Sequence, residues 1–224
     1  MAVMMIKASL SVKERLFFTA PTISGKIEQR IWRRSFAKDF LRSLFHFLII
    51  ESGRFSRGNT VGLAEAGFVM MRNTTVGENR MPFHKQDGIF SETPRFLQET
   101  AFIDRIHGLL PGWELHRVTK DMPSNFLGFK GDFFSEILHS FRNDTCFVDF
   151  VTDEMRLKNC NDLRDRKAIT RLATRFLKIL FPDINPTKEE FIDYCVKPAV
   201  DLRQRIRDEL HKRDPEYSSV VIQS

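Results

Sequence analysis

The strongest constraint in this sequence is a stripe of apolar residues in its second half: Ile169, Leu172, Ala173, Phe176, Leu177 and Leu180. Steps of three and four residues put all six on one face of an α-helix. A chain with such a face has to cover it with other apolar elements. The pattern predicts a helix over 162–181, stopped by Pro182–Asp183. Thr187 and Glu190 then have the spacing of a capping box, which opens a last helix. Cys195, Ala199, Leu202, Ile206 and Leu210 line its expected buried side, and Pro198 predicts a kink or a restart within it. Asp201–Arg205, Asp208–Lys212 and Glu209–Arg213 are spaced as i,i+4 pairs on its wet side. The tail from Pro215 is expected to fray.

Upstream the pattern is less regular. Residues 26–50 read as a helix, with Lys26, Arg30, Arg33 and Arg34 on one face and Phe36, Phe40, Leu44 and Leu48 at four-residue spacing. A solvated basic side is the plain reading of that face; contact with nucleic acid or an acidic partner is the other. Residues 51–60 read as a polar loop, and Ala66 to Met71 as a buried strand ending at Arg72–Asn73–Thr74. A long loop spans 74–93. Helices are expected over 94–110, with Leu97, Ala101, Phe102, Ile106 and Leu109 in a stripe, and over 131–142, with Phe133, Phe134, Ile137, Leu138 and Phe141 on one side. Residues 113–130 are irregular, and the first 25 are weakly determined. The fold class expected is mainly α with a short β element.

Chemistry is harder to find. A phosphate-gripping loop needs G-x-x-x-x-G-K-[ST], so that bare amides and a lysine hold phosphate and a hydroxyl holds Mg²⁺. The nearest approach, Ala20 to Ile27, has Ala20 for the first glycine and Ile27 for the hydroxyl. An apolar strand ending in Asp-Glu is also missing, since Phe47 to Glu51 ends in a single carboxylate. His46, His84, His107, His116, His139 and His211 have no metal-ligand spacing and read as ordinary surface or core histidines. Cys146, Cys160 and Cys195 are odd in number, with no C-x-x-C, which fits a reducing cytoplasm. The longest later apolar run, Leu44 to Ile50, is far too short for a membrane span. The net charge of +6 permits DNA contact without demanding it. There are 22 Phe against 2 Tyr and 2 Trp, so most aromatic rings here lack a polar handle and call for burial or a partner surface.

Three stretches carry a family resemblance: Glu51 to Gly58, the strand ending at Arg72–Asn73, and Thr100 to Glu114, within which FIDRIHGLLPGWE (Phe102 to Glu114) is the most specific. The chain resembles the BrxL family, Lon-like AAA+ proteins of the BREX phage-defence system. The similarity continues through Gly128 to Leu138 and Asn161 to Pro182 into the last helix, covering about residues 51–213; residues 1–37 show none. Members are ATP- and Mg-dependent ring-forming motors with Walker A and Walker B motifs before this region and a Lon-protease-like domain after it. The resemblance therefore implies a truncated or split segment, without ATPase or protease activity or a bound cofactor of its own. Ring subunits or a front-half chain would be its partners. It would hold a partial AAA+ core over 38–142, a helical lid over 143–213 and a flexible tail over 214–224, behind an unassigned and rearranged segment 1–37. A basic helical module that binds DNA or a protein partner is the alternative.

Three residue roles follow from the resemblance. Asn73 matches sensor 1, which orients the attacking water, although Arg72 stands where the family usually has Gly. Arg105, after Asp104, matches the motif that supplies an arginine finger to a neighbouring subunit. Arg164 falls near sensor 2 in the lid. Their plain alternatives are a strand end, a surface residue beside Asp104, and a solvated helix start at Arg164 and Arg166.

Overall fold

The computed structural model describes residues 2–5, 54–57, 60–63, 68–70, 74, 77, 82, 87–93, 95–116, 119–123, 126–217 and 221–224. The expected helix over 26–50, the near-miss at 20–27 and Asn73 lie outside these residues.

The described chain is mainly helical, with a few short strands. Strand β1 (Ala2–Met5) lies between β4 (Phe68–Met70) and β5 (Gly108–Leu110), parallel to both. Val3 is paired with Val69, and Met4 with Leu109. The strand read from Ala66 to Met71 is thus β4, and its Met70 is buried. The polar loop expected over 51–60 is instead part of a hairpin. Strands β2 (Arg54–Arg57) and β3 (Thr60–Leu63) pair antiparallel, with Arg57 opposite Thr60.

The helix expected over 94–110 is broken into pieces: a 3₁₀ turn at Arg95–Gln98, a short helix α1 (Thr100–Ile103) and then β5. Ile106 and Leu109 are buried as expected, but Leu109 is buried from strand β5 and Ile106 from the loop before it. Gly108 permits this. A Cβ there would sit 2.9 Å from the Leu202 Cβ, so β5 lies closer to the last helix than a side chain allows.

Helix α2 (Gly131–Ser140) forms where expected, yet none of its residues is fully buried, and Phe133 and Phe134 are exposed. Periodicity records that a face is apolar and leaves open what covers it. Helix α3 (Cys146–Glu154) buries Phe147 and Val151. Helix α4 (Leu163–Leu180) matches the strongest sequence pattern. The Asp162 carboxylate accepts the Arg164 N–H at 2.7 Å as its cap, and Ile169, Leu172, Ala173 and Leu177 are buried.

The final helical run starts at α5 (Lys188–Glu190) with the Thr187/Glu190 capping box in place. It widens to a π turn over Phe191–Val196 and continues as α6 (Lys197–Arg213). The π turn relieves the clash that Pro198 would otherwise make with the preceding turn. Of the residues expected to pair along α6, Arg205 reaches Glu114 at 2.7 Å, and Lys212 contacts Glu209 at 2.6 Å. In the tail, Ile222 is buried and its N–H donates to Gln204 Oε1 at 3.0 Å, while Lys158 and Gln223 form a β-bridge.

Two apolar clusters result, and α6 belongs to both. Its N-terminal half, with Ala199 and Val200, packs on α3, α4 and the π turn. Its C-terminal half, with Ile206 and Leu210, packs on Phe90, Phe102, Ile103, Ile106 and Leu109. Each fully buried Val, Leu, Ile or Phe among them contributes about 1.5–3 kcal/mol. Between the two halves stands Arg203.

Candidate functional site

The turn that follows α1 carries Asp104 and Arg105. Asp104 is buried, and two arginines from distant elements meet its carboxylate. Arg203 Nη2 donates to Oδ1 at 2.9 Å, and Arg164 Nη1 to Oδ2 at 2.6 Å. Arg203 also donates from Nε to Asp165 Oδ1 at 2.7 Å, and from Nη1 to the carbonyls of Asp104 and Ile106 at 2.9 and 2.6 Å. Arg207 closes the far side by pairing with Asp165 Oδ2. A buried guanidinium needs its donors answered, and four of the five N–H groups here have acceptors. The network ties the Asp104–Ile106 turn to α4 and α6.

Above it opens a shallow cleft, continuous with solvent, lined by Asp104, Arg105, His107, Arg164, Lys167, Ala168 and Arg171. One wall is the turn between α1 and β5. The other is α4, where positions 164, 167, 168 and 171 follow one another along a single face. Four cations thus face a single carboxylate, and that carboxylate already accepts from Arg164 and Arg203. A positive side chain in the first turn of α4 opposes the helix dipole, so Asp104 is what holds Arg164 there.

His107 is buried behind Arg105. Burial, and then the charge of Arg171, lower its pKa to about 3, so the imidazole is neutral at neutral pH. Its Nε2 lies 2.9 Å from Arg171 Nη1. A guanidinium can only donate, so Nε2 accepts and Nδ1 carries the proton. The imidazole therefore steers Arg171 without adding charge.

The cleft suits an anion. Guanidinium forks match phosphate oxygens, and Lys167 adds a point charge. Among the described residues no three His, Cys, Asp or Glu side chains converge to hold a metal ion. The described side chains on this cleft thus offer donors to an anion and no carboxylate cluster to a cation.

Of the three residues singled out by sequence, Arg105 and Arg164 come together on this cleft, and Asn73 lies outside the described residues. Sequence reading missed Asp104, Asp165 and Arg203, as well as Lys167, Arg171 and the steering His107. A signal for the first group existed: Asp165 and Arg203 are opposite charges set on the apolar faces of two helices.

The family model for the Lon-like protease BrxL-like ATPase domain matches residues 35–223. The chain belongs to this family. It is 29% identical over 163 residues to a Lon-like protease BrxL of Escherichia coli O9:H4 (strain HS), covering 73% of this chain and 23% of that protein. With a Lon-like protease BrxL of Bacillus cereus (strain H3081.97) it shares 29% over 164 residues, covering 73% of this chain and 24% of the relative. The chain thus spans about a quarter of the length of these BrxL relatives. No described helix is long and apolar enough to cross a membrane.

Proposed function

We propose that this BrxL-family chain supplies the phosphate-contacting half of an AAA+ ATPase site in the BREX phage-defence system, and turns over no ATP alone. Residues 38–142 are the back of the ATPase core, and 143–213 the lid. Arg105 acts as the arginine finger, Arg164 as sensor 2 and Asn73 as sensor 1. The observation that carries the reading is that Arg105 and Arg164 line one basic cleft. Both arginines then serve one nucleotide, held by the phosphate loop and Mg²⁺ site of a neighbouring polypeptide. Charge that develops on the transferring phosphoryl group is stabilised by guanidinium donors already in place. When bound, the neighbour's Mg²⁺ supplies charge neutralisation between the phosphates.

Phosphate release by the purified chain tests the first half of the reading, and measurable turnover would overturn it. For the second half, residues 51–213 replace the matching segment of the Escherichia coli relative. In that ring Arg105→Ala is expected to lower kcat by about 10³. Mixing it with subunits that lack the phosphate-loop lysine should restore turnover at mixed interfaces. Failure of the mixture to recover would exclude action in trans.

A further inference from the structure

Helix α2 and the segment that leads into it present an apolar face that the cleft does not use. Leu127 is 106% exposed, Phe129 77%, Phe133 55% and Phe134 43%, although a phenyl ring has no polar handle and gains by leaving water. The rings gather on one side: Phe129 folds back onto Phe133, with centroids 5.9 Å apart. The helix is tied to α4, because Lys178 Nζ donates to the carbonyls of Phe141 and Asp144, just past its C-terminal end, at 2.5 and 3.0 Å. With about 150–250 Å² for each phenyl side chain, the three rings and Leu127 leave roughly 500 Å² of apolar surface open, near the top of the range for a typical monomer. A standard interface takes about 800 Å² from each partner, a little over half of it apolar, so the face has the area of a stable contact.

The charges around the face select its occupant. The chain is +6 overall, yet here the exposed Lys130 stands with the exposed Asp132 and Glu136, so the face is close to neutral. A nucleic acid calls for a basic groove around its stacking rings, whereas a second copy of a cationic chain calls for a face without excess positive charge. Lys130 and Glu136 make no ion pair among the described residues. Both stand three positions from Phe133, one on each side in sequence, and Phe129 and Ile137 stand four positions from it in the same way. Such a pattern matches its own reverse. We propose that two copies of this chain pair through α2, antiparallel about a twofold axis at Phe133. Phe133 meets its own equivalent, Phe129 packs on the partner's Ile137, and Lys130 reaches the partner's Glu136, with each contact made twice. A contact of this kind closes on itself and stops at a dimer, unlike the head-to-tail contact by which Arg105 would serve a neighbour. It is independent of the phosphate cleft.

Sedimentation velocity of the full chain across the micromolar range tests it. The wild type is expected to pass reversibly from monomer to dimer as its concentration rises. Phe133→Ser should weaken the dimer about a hundredfold, because one substitution removes the central ring from both copies. Its urea midpoint should stay near the wild-type value, since the ring it removes is half exposed in the monomer. Lys130→Glu and Glu136→Lys should each weaken the dimer about tenfold by setting like charges across the axis. The double variant Lys130→Glu/Glu136→Lys should restore it, a rescue that requires the two positions to meet between copies. A chain that stays monomeric throughout overturns the dimer, and retention on a labelled oligothymidine that Phe133→Ser abolishes would then assign the rings to nucleobases. Species that grow beyond the dimer with concentration, or a dimer that Phe133→Ser leaves intact, would put the contact elsewhere and overturn it too. Charge variants that weaken the dimer singly and are not rescued when combined would overturn the antiparallel pairing.

Discussion

Arg203 Nη2 meets Asp104 Oδ1 at 2.9 Å with both side chains 1% exposed, so α6 and the turn that bears Arg105 are joined by an ion pair sealed from water. Replacing Arg203 with Met would leave Asp104 and Asp165 buried without their shared donor. Truncating one member of such a network costs about 3–5 kcal/mol. Urea unfolding of Arg203→Met should show a loss of that size with an unchanged slope. A loss below about 1 kcal/mol would mean that the seam relaxes and lets water in.

The stability of the chain should fall in acid through His107. Its folded pKa is lowered to about 3 from 6.5, chiefly by burial, so the unfolded chain binds the extra proton throughout that interval. Stability contributed by the neutral imidazole is therefore complete above about pH 6.5 and is lost as the pH falls toward about 3, with a slope approaching about 1.4 kcal/mol per pH unit. Unfolding free energies measured from pH 4 to 7.5 should show this slope in wild type and a flatter one in His107→Gln. Parallel curves for the two proteins would contradict it.

Where one face of one element decides its structure, the sequence was legible. The stripe from Ile169 to Leu180 and the Thr187/Glu190 box define α4 and the start of the last helix with no reference to the rest of the chain. Long-range partners decided the rest. Ile106 and Leu109 fit a helical stripe equally well, and only pairing with β1 and the close approach of Leu202 to Gly108 make that stretch extended. Ala2–Met5 is too short to announce itself as a strand, and it is ordered by neighbours some 65 and 105 positions away in sequence. The cleft was legible only through family likeness, which named Arg105 and Arg164 separately. That they share one cavity follows from Asp104 accepting from Arg164, a contact across sixty residues.

Arg164 and Arg203 hold the same carboxylate and should differ sharply when removed. The Arg164 side chain is 46% exposed and sits where the helix dipole disfavours a cation, whereas Arg203 is fully enclosed. Solvent screening discounts the Arg164–Asp104 pair, and Asp104 keeps Arg203 when Arg164 is gone. Arg164→Ala should therefore cost less than about 1 kcal/mol in urea unfolding. An arginine that the fold does not need is free to leave Asp104 when a phosphate competes for it, so the same variant should lose phosphate affinity while remaining folded. A loss above about 3 kcal/mol would instead make Arg164 a structural brace, with its guanidinium committed to Asp104 and not to a phosphate.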